Sequence, residues 1–159
     1  MIREILLLGD PALYEVSTPL AGDDSVYLAA LEEDLRDTLL EFRRQYGAGR
    51  AIAAPQIGVR RRAIYLHVPT PTLLVDPVLE FPDEEMMEVL DDCMSFPNLL
   101  VKVMRYKRCI VHYHDREGNP GKFEFEGDFA ELIQHEYDHL DGILATMRAK
   151  DTKAFVLKK

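Results

Sequence analysis

Asp128-Phe129-Ala130-Glu131-Leu132-Ile133-Gln134-His135-Glu136-Tyr137-Asp138-His139-Leu140-Asp141-Gly142 is the stretch that decides how this chain is read. Phe129, Leu132, Ile133, Leu140 and Ile143 recur at helical spacing and form one apolar stripe. Asp128, with Glu131 three residues on, is the expected N-cap and capping-box pair, and Gly142 stands where a C-cap glycine belongs. On this helix His135 and His139 lie one turn apart at the edge of the stripe. Two histidines so placed can grip one metal ion. Asp138 and Asp141 are expected to point away. Glu136 falls between Leu132 and Leu140, inside the stripe, where an unpaired carboxylate costs several kcal/mol. It needs a cation or a proton nearby, and burial raises its pKa toward working pH, which suits a general base. His-x-x-x-His alone is common on surface helices. The buried glutamate between the pair turns the reading toward a metallohydrolase.

Working outward, the 159 residues predict one domain spanning 1–159, large enough to bury roughly two thirds of its unfolded surface. The composition, 47% hydrophobic and 30% charged, is that of a globular protein. No apolar run approaches the ~18 residues of a membrane span, and the start lacks a signal-peptide core, so a cytoplasmic protein without membrane contact is expected. Cys93 and Cys109 are too few for a disulfide framework and fit a reducing compartment as free thiols or ligands. The net charge of -9 argues against direct nucleic-acid binding.

Residues 24 to 46 carry Val26, Leu28, Leu31, Leu35, Leu39, Phe42 and Tyr46 at helical spacing, which predicts a long amphipathic helix ended by Gly47 or Gly49. The period then drops to two. Ala63–Val68, Leu73–Leu79, Glu85–Leu90, Leu99–Val103, Arg108–His114 and Lys122–Phe125 read as antiparallel strands joined by hairpins, with proline and glycine between them. The fold expected is α+β: small antiparallel β-sheets packed around a central metal-binding helix, with an N-terminal amphipathic helix.

A catalytic metal usually takes three protein ligands and leaves one position open. Cys93, in Asp91-Asp92-Cys93-Met94-Ser95 where a strand gives way to a loop, is the better third ligand. Cys109 alternates with Val111 and Tyr113 and reads as core. His67, His112 and His114 read as structural. Gly49-Arg50-Ala51-Ile52-Ala53-Ala54-Pro55-Gln56 is a small-residue turn that lets backbone approach a ligand, with Ala54 forced extended by Pro55. Gln56 is placed to offer an amide N–H to a developing oxyanion.

In order and approximate spacing these three stretches resemble the peptide deformylases, whose motifs read Gly-x-Gly-x-Ala-Ala-Pro-Gln, Glu-Gly-Cys-Leu-Ser and His-Glu-x-x-His. The likeness runs from Gly9-Asp10-Pro11 to Gly142. It implies an enzyme using Fe²⁺, with Zn²⁺, Ni²⁺ or Co²⁺ as alternatives, that removes the N-formyl group of nascent chains. It further implies Cys93, His135 and His139 as ligands, Glu136 as general base and acid, and Gln56 with the Met94 backbone N–H as oxyanion donors. Gly49, Arg50, Ala51, Ile52 and Asp92 would meet the substrate, and a transient association with the ribosome would follow from acting on nascent chains.

The match departs where substrate is met. Ala51 replaces the second glycine of the first motif, and Asp91 and Asp92 replace Glu and Gly before the cysteine. Gly to Asp at 92 adds a side chain and a charge, and so is expected to narrow or charge the cleft. A different N-formyl substrate is therefore the alternative, and a catalytically idle metal-binding module a third reading. The short stretch after the metal helix leaves little of the longer C-terminal helix of many bacterial relatives.

Overall fold

Asp24 caps the first helix, its side chain accepting from the Tyr27 N–H at 2.8 Å. That helix, α1 (Ser25–Tyr46), stops at Gly47, which is left-handed at φ 69°. A computed structural model of the protein describes residues 1–22 and 24–158. After α1 come β1 (Ala51–Ala53), β2 (Ala63–Leu66), β3 (Thr72–Glu80), β4 (Met86–Asp91), β5 (Leu99–Tyr106), β6 (Arg108–His114), β7 (Pro120–Glu126), α2 (Asp128–Leu140) and β8 (Phe155–Leu157). Short 3₁₀ turns at Pro11–Tyr14, Ala54–Ile57 and Ala145–Arg148 complete the order.

The strands form two antiparallel sheets, one ordered β1-β2-β3-β6-β7 and the other β4-β5-β8. Alternation assigns the two faces of the larger sheet. Ile52, Ala63, Tyr65, Leu73 and Val75 pack on Leu28, Leu31, Leu35 and Leu39 of α1. Ala51, Ala53, Ile64, Leu66, Leu74, Val111 and Phe125 turn the other way, onto Ala130, Leu132, Ile133 and Leu140 of α2. β2 is therefore buried along its whole length. The smaller sheet closes the far side through Val101 and Val103, which cluster with Leu13, Cys93, Phe96 and Leu144. Helix α2 thus lies between the sheets and is buried nearly all round.

This is the α+β arrangement the patterning predicts. Differences fall at element ends and in two short strands. Val26 and Tyr46, expected on the α1 stripe, are exposed. Ala63–Val68 stops at Leu66, and the β5 and β7 segments run longer than their apolar residues indicate. β5 and β6 follow one another directly yet lie in different sheets, so that connection is not a hairpin. Ala51–Ala53, read as a turn, is a strand. Its alanines have weak strand preference, but both are buried in the cluster that α2 packs on, and that packing with the pairing to β2 holds the segment as a strand. β8, too short and too exposed to show a pattern, pairs with β5. Among the described residues, no helix is long and apolar enough to cross a membrane.

Candidate metal centre and cleft

Helix α2 begins one residue earlier than its sequence suggests. Gly127 is the N-cap, with no side-chain cap, and Asp128 is the first helical residue; its charge and that of Glu131 still complement the helix dipole there. The far end is held tightly. Gly142 is left-handed at φ 73°, and a Cβ on it would sit 2.5 Å from the Tyr14 carbonyl oxygen. Midway, the Gln134 side chain clasps β5: its Nε2 donates to the Tyr106 carbonyl at 2.8 Å and its Oε1 accepts from the Tyr106 N–H at 2.9 Å.

The register so fixed buries both histidines. His135 is 5% exposed and His139 1%, and Cys93 reaches them from the loop after β4. One ligand atom from each of Cys93, His135 and His139 lies within 4.8 Å of the others. Cys93 Sγ and His139 Nε2 are 3.4 Å apart, the separation that tetrahedral bonds of about 2.0–2.3 Å impose on neighbouring ligands. A thiolate with two imidazoles suits Zn²⁺ and Fe²⁺ alike, so the residues fit a resident divalent ion.

His135 Nδ1 lies 3.0 Å from Asp91 Oδ1. A carboxylate only accepts, so Nδ1 carries the proton and Nε2 is turned toward the metal position. Burial alone would lower the His135 pKa, but Asp91, then Cys93, outweigh it and hold it well above the usual value. His139 is held well below, first by burial and then by the charge of His135, and a neutral imidazole is what ligation needs. Asp91 is itself kept ionised against burial by His135 and Arg105. Arg105, 3% exposed, bridges Asp91 at 2.8 Å and Asp138 at 2.7 Å. Arg148 closes on Asp138 from the Ala145–Arg148 turn at 2.6 Å. Asp138 therefore does not point away, as expected from the helix pattern; it is buried at the centre of an ion-pair chain leading to His135. Asp141, partly exposed, pairs with Arg62.

Glu136 sits 4.0 Å from His135 Nε2, is 4% exposed, and among the described residues its Oε2 has no hydrogen-bond partner. Burial pushes it up to about 7. Gln56, on the Ala54–Ile57 turn, is 1% exposed. Its Oε1 accepts from the Ala53 N–H at 3.0 Å, and its Nε2 points to Ser95 Oγ at 3.2 Å and Cys93 Sγ at 3.6 Å. The N-terminal segment ties the two loops together: the Leu6 N–H donates to the Gln56 carbonyl and the Leu8 N–H to the Ser95 carbonyl. Cys109 is fully buried in the core, as read, and its thiol is pushed up to about 12 by burial.

A cleft of about 380 Å³ opens onto this centre. Gly49, Arg50, Ala51, Asp92, Met94, Glu131 and Glu136 line it. Ile52 does not: its side chain is fully buried on the α1 side of β1, because neighbouring strand residues face opposite ways. Asp92 is exposed at the rim, 3.3 Å from Lys158. Glu131 on the cleft wall is pushed up to about 7, first by burial and then by Asp91.

Residues 2–155 match the sequence model of the polypeptide deformylase family. The chain belongs to the polypeptide deformylase family. It is 37% identical over 160 residues to a peptide deformylase of Parafrankia sp., covering 99% of this chain and 84% of that one. A peptide deformylase of Thermotoga maritima is 33% identical, covering 98% and 92%. Among solved structures, a peptide deformylase from Legionella pneumophila superposes with a TM-score of 0.86 at 31% identity, over 94% of this chain and 87% of that one. The Thermotoga maritima crystal structure gives 0.82 at 29% identity, over 95% and 99%. A class I type b peptide deformylase from Acinetobacter baumannii, solved with Met-Ala-Ser bound, gives 0.83 at 28% identity, over 93% and 98%.

This deformylase is a metallohydrolase that removes the formyl group from N-terminal formyl-methionine, with Cys93, His135 and His139 as its metal site. Arg105 and Asp138 carry no functional signal in the sequence, and Asp91, which reads there as a departure near the substrate, instead orients His135. The signal for Asp91 was its place two residues before Cys93, where the family carries the longer glutamate.

Proposed function

We propose that residues 1–159 act as a single catalytic domain in which Glu136 is the general base and acid of deformylation at an Fe²⁺ centre. The observation that carries this reading is the unpartnered Oε2 of Glu136, buried beside the Cys93, His135 and His139 group. A carboxylate left so costs several kcal/mol, and holding a metal does not require it. A divalent ion bound by Cys93, His135 and His139 supplies Lewis acidity, polarising a formyl oxygen and acidifying water.

The residues divide the remaining work. Glu136 takes a proton from water and returns it to the leaving amine. The Gln56 amide, held by the Ala53 N–H, and the Met94 backbone N–H stabilise negative charge growing on the formyl oxygen. Asp91 fixes the His135 tautomer. Gly49, Arg50, Ala51 and Asp92 contact the peptide along the cleft. A formyl carbon bears only hydrogen, so a confined site favours it over bulkier acyl groups. The Met-Ala-Ser complex of the Acinetobacter baumannii relative supports a peptide occupant for the matching cleft.

The test is anaerobic purification with metal analysis, followed by formate release from a formyl-methionyl peptide. Near one iron per chain with formate release is the expected result. Stoichiometric metal without formate would return the chain to the idle-module reading.

A further inference from the structure

Beside the metal centre the cleft wall carries charge where a thioether side chain would be best served by apolar atoms. Glu131 lies on α2 one turn before His135, and Arg50 adjoins β1 across the cleft; both line the cavity that Cys93, His135 and Glu136 share. The Glu131 side chain is only 13% exposed and that of Arg50 37%. Their nearest atoms, Arg50 Nη2 and Glu131 Oε2, are 3.7 Å apart, beyond hydrogen-bonding distance. Asp91, the other carboxylate facing Glu131, shares a hydrogen bond with it and is itself held by His135 and Arg105, which leaves the Glu131 oxygen nearest Arg50 to face the cleft. Asp92 faces Lys158 at the rim. The loose pair thus presents a donor and an acceptor side by side to whatever enters.

We propose that Arg50 and Glu131 read the side chain next to the formyl group, and that they favour N-formyl peptides whose first residue carries a carboxamide over those with a thioether or alkyl chain. A carboxamide oxygen accepts from Arg50 while its N–H donates to Glu131, satisfying both and bridging their gap. A methionine or norleucine chain strips water from the pair and returns no hydrogen bond. A lysine side chain suits Glu131 but repels Arg50, and a glutamate does the reverse. Formyl-methionine remains a substrate, at lower efficiency. The proposal rests on the deformylase reading, whose failure shows separately.

The experiment measures kcat/KM for formate release from formyl-Xaa-Ala-Ser peptides with Xaa as Gln, Met, norleucine, Lys or Glu, using protein of measured metal content. Gln is expected to exceed norleucine by about tenfold, the worth of one to two net hydrogen bonds. The Arg50→Leu/Glu131→Leu double variant is expected to reverse that order. Glu131→Gln, closest in shape to the native residue, should narrow the ratio with metal content unchanged, and an unchanged ratio counts against the pair. Met or norleucine at or above Gln in the wild type overturns the proposal and leaves the deformylase reading standing. Lys or Glu at the top overturns the carboxamide class. No formate from any peptide by metal-loaded protein overturns the deformylase reading, and the role of the pair with it.

Discussion

Glu136 and Cys109 are both buried titratable side chains, and their surroundings give them opposite fates. Glu136 has an unpartnered oxygen facing a cluster of ligands, so its burial serves chemistry. Cys109 sits among Val111, Phe125 and Leu74 with no charge to stabilise a thiolate, and burial holds its thiol near 12 against a usual 9.0. The sign of its linkage follows. The folded state prefers the protonated thiol, so its contribution is complete below pH 9.0 and is lost as pH rises toward 12. Stability of the wild type is expected to fall more steeply than that of Cys109→Val over that range, by up to ~1.4 kcal/mol per pH unit. Urea unfolding at stepped pH measures it, and parallel slopes would refute the assignment. In the native protein a thiol reagent should spare Cys109 until unfolding.

Helix α2 works because its C-terminal end and one of its sides are pinned. The Arg148–Asp138–Arg105–Asp91 chain ties it to β4 and β5 and ends on a metal ligand. Replacing Arg105 with Met leaves Asp91 buried without its arginine and Asp138 with Arg148 alone, a change expected to cost about 3–5 kcal/mol in denaturant unfolding. It should also speed loss of metal to a chelator, because His135 loses its orienting partner. Wild-type stability in that variant would show the chain to be ornamental. At the C-terminal end, Gly142→Ala meets both a left-handed backbone and the Tyr14 carbonyl, whereas Gly47→Ala at the end of α1 meets open space. Gly47→Ala is expected to cost about 1–2 kcal/mol, and Gly142→Ala clearly more. Equal losses in Tm would contradict that contact.

The whole molecule shows which parts of a site local pattern can reveal. The periodicity of α2 placed Glu136 on a buried face, and the position of Cys93 at the end of an apolar run marked it as the third ligand. Both depend on neighbours along the chain. Asp138 was misplaced because an aspartate at that helical position reads as solvent-facing until Arg105, 33 residues away, arrives to pair with it. β1 and β8 escaped for a related reason: three-residue strands are specified by what they pair with and what packs on them, and alternation cannot appear in so few residues. The charged character of the cleft likewise needs three separate segments, bearing Arg50, Asp92 and Glu131, to be brought to one wall. A metal gripped by α2 and the β4–β5 loop joins the two sheets, so its removal should lower Tm and reloading should restore it, as expected for a ligand of the native state.

The role of Glu136 is tested most directly by comparing Glu136→Gln with wild type for metal content and formate release from the same N-formyl peptide. The expected result is equal metal in both proteins and a fall in kcat of about a hundred- to ten-thousand-fold in the variant. Undiminished formate release from Glu136→Gln at equal metal content would contradict it.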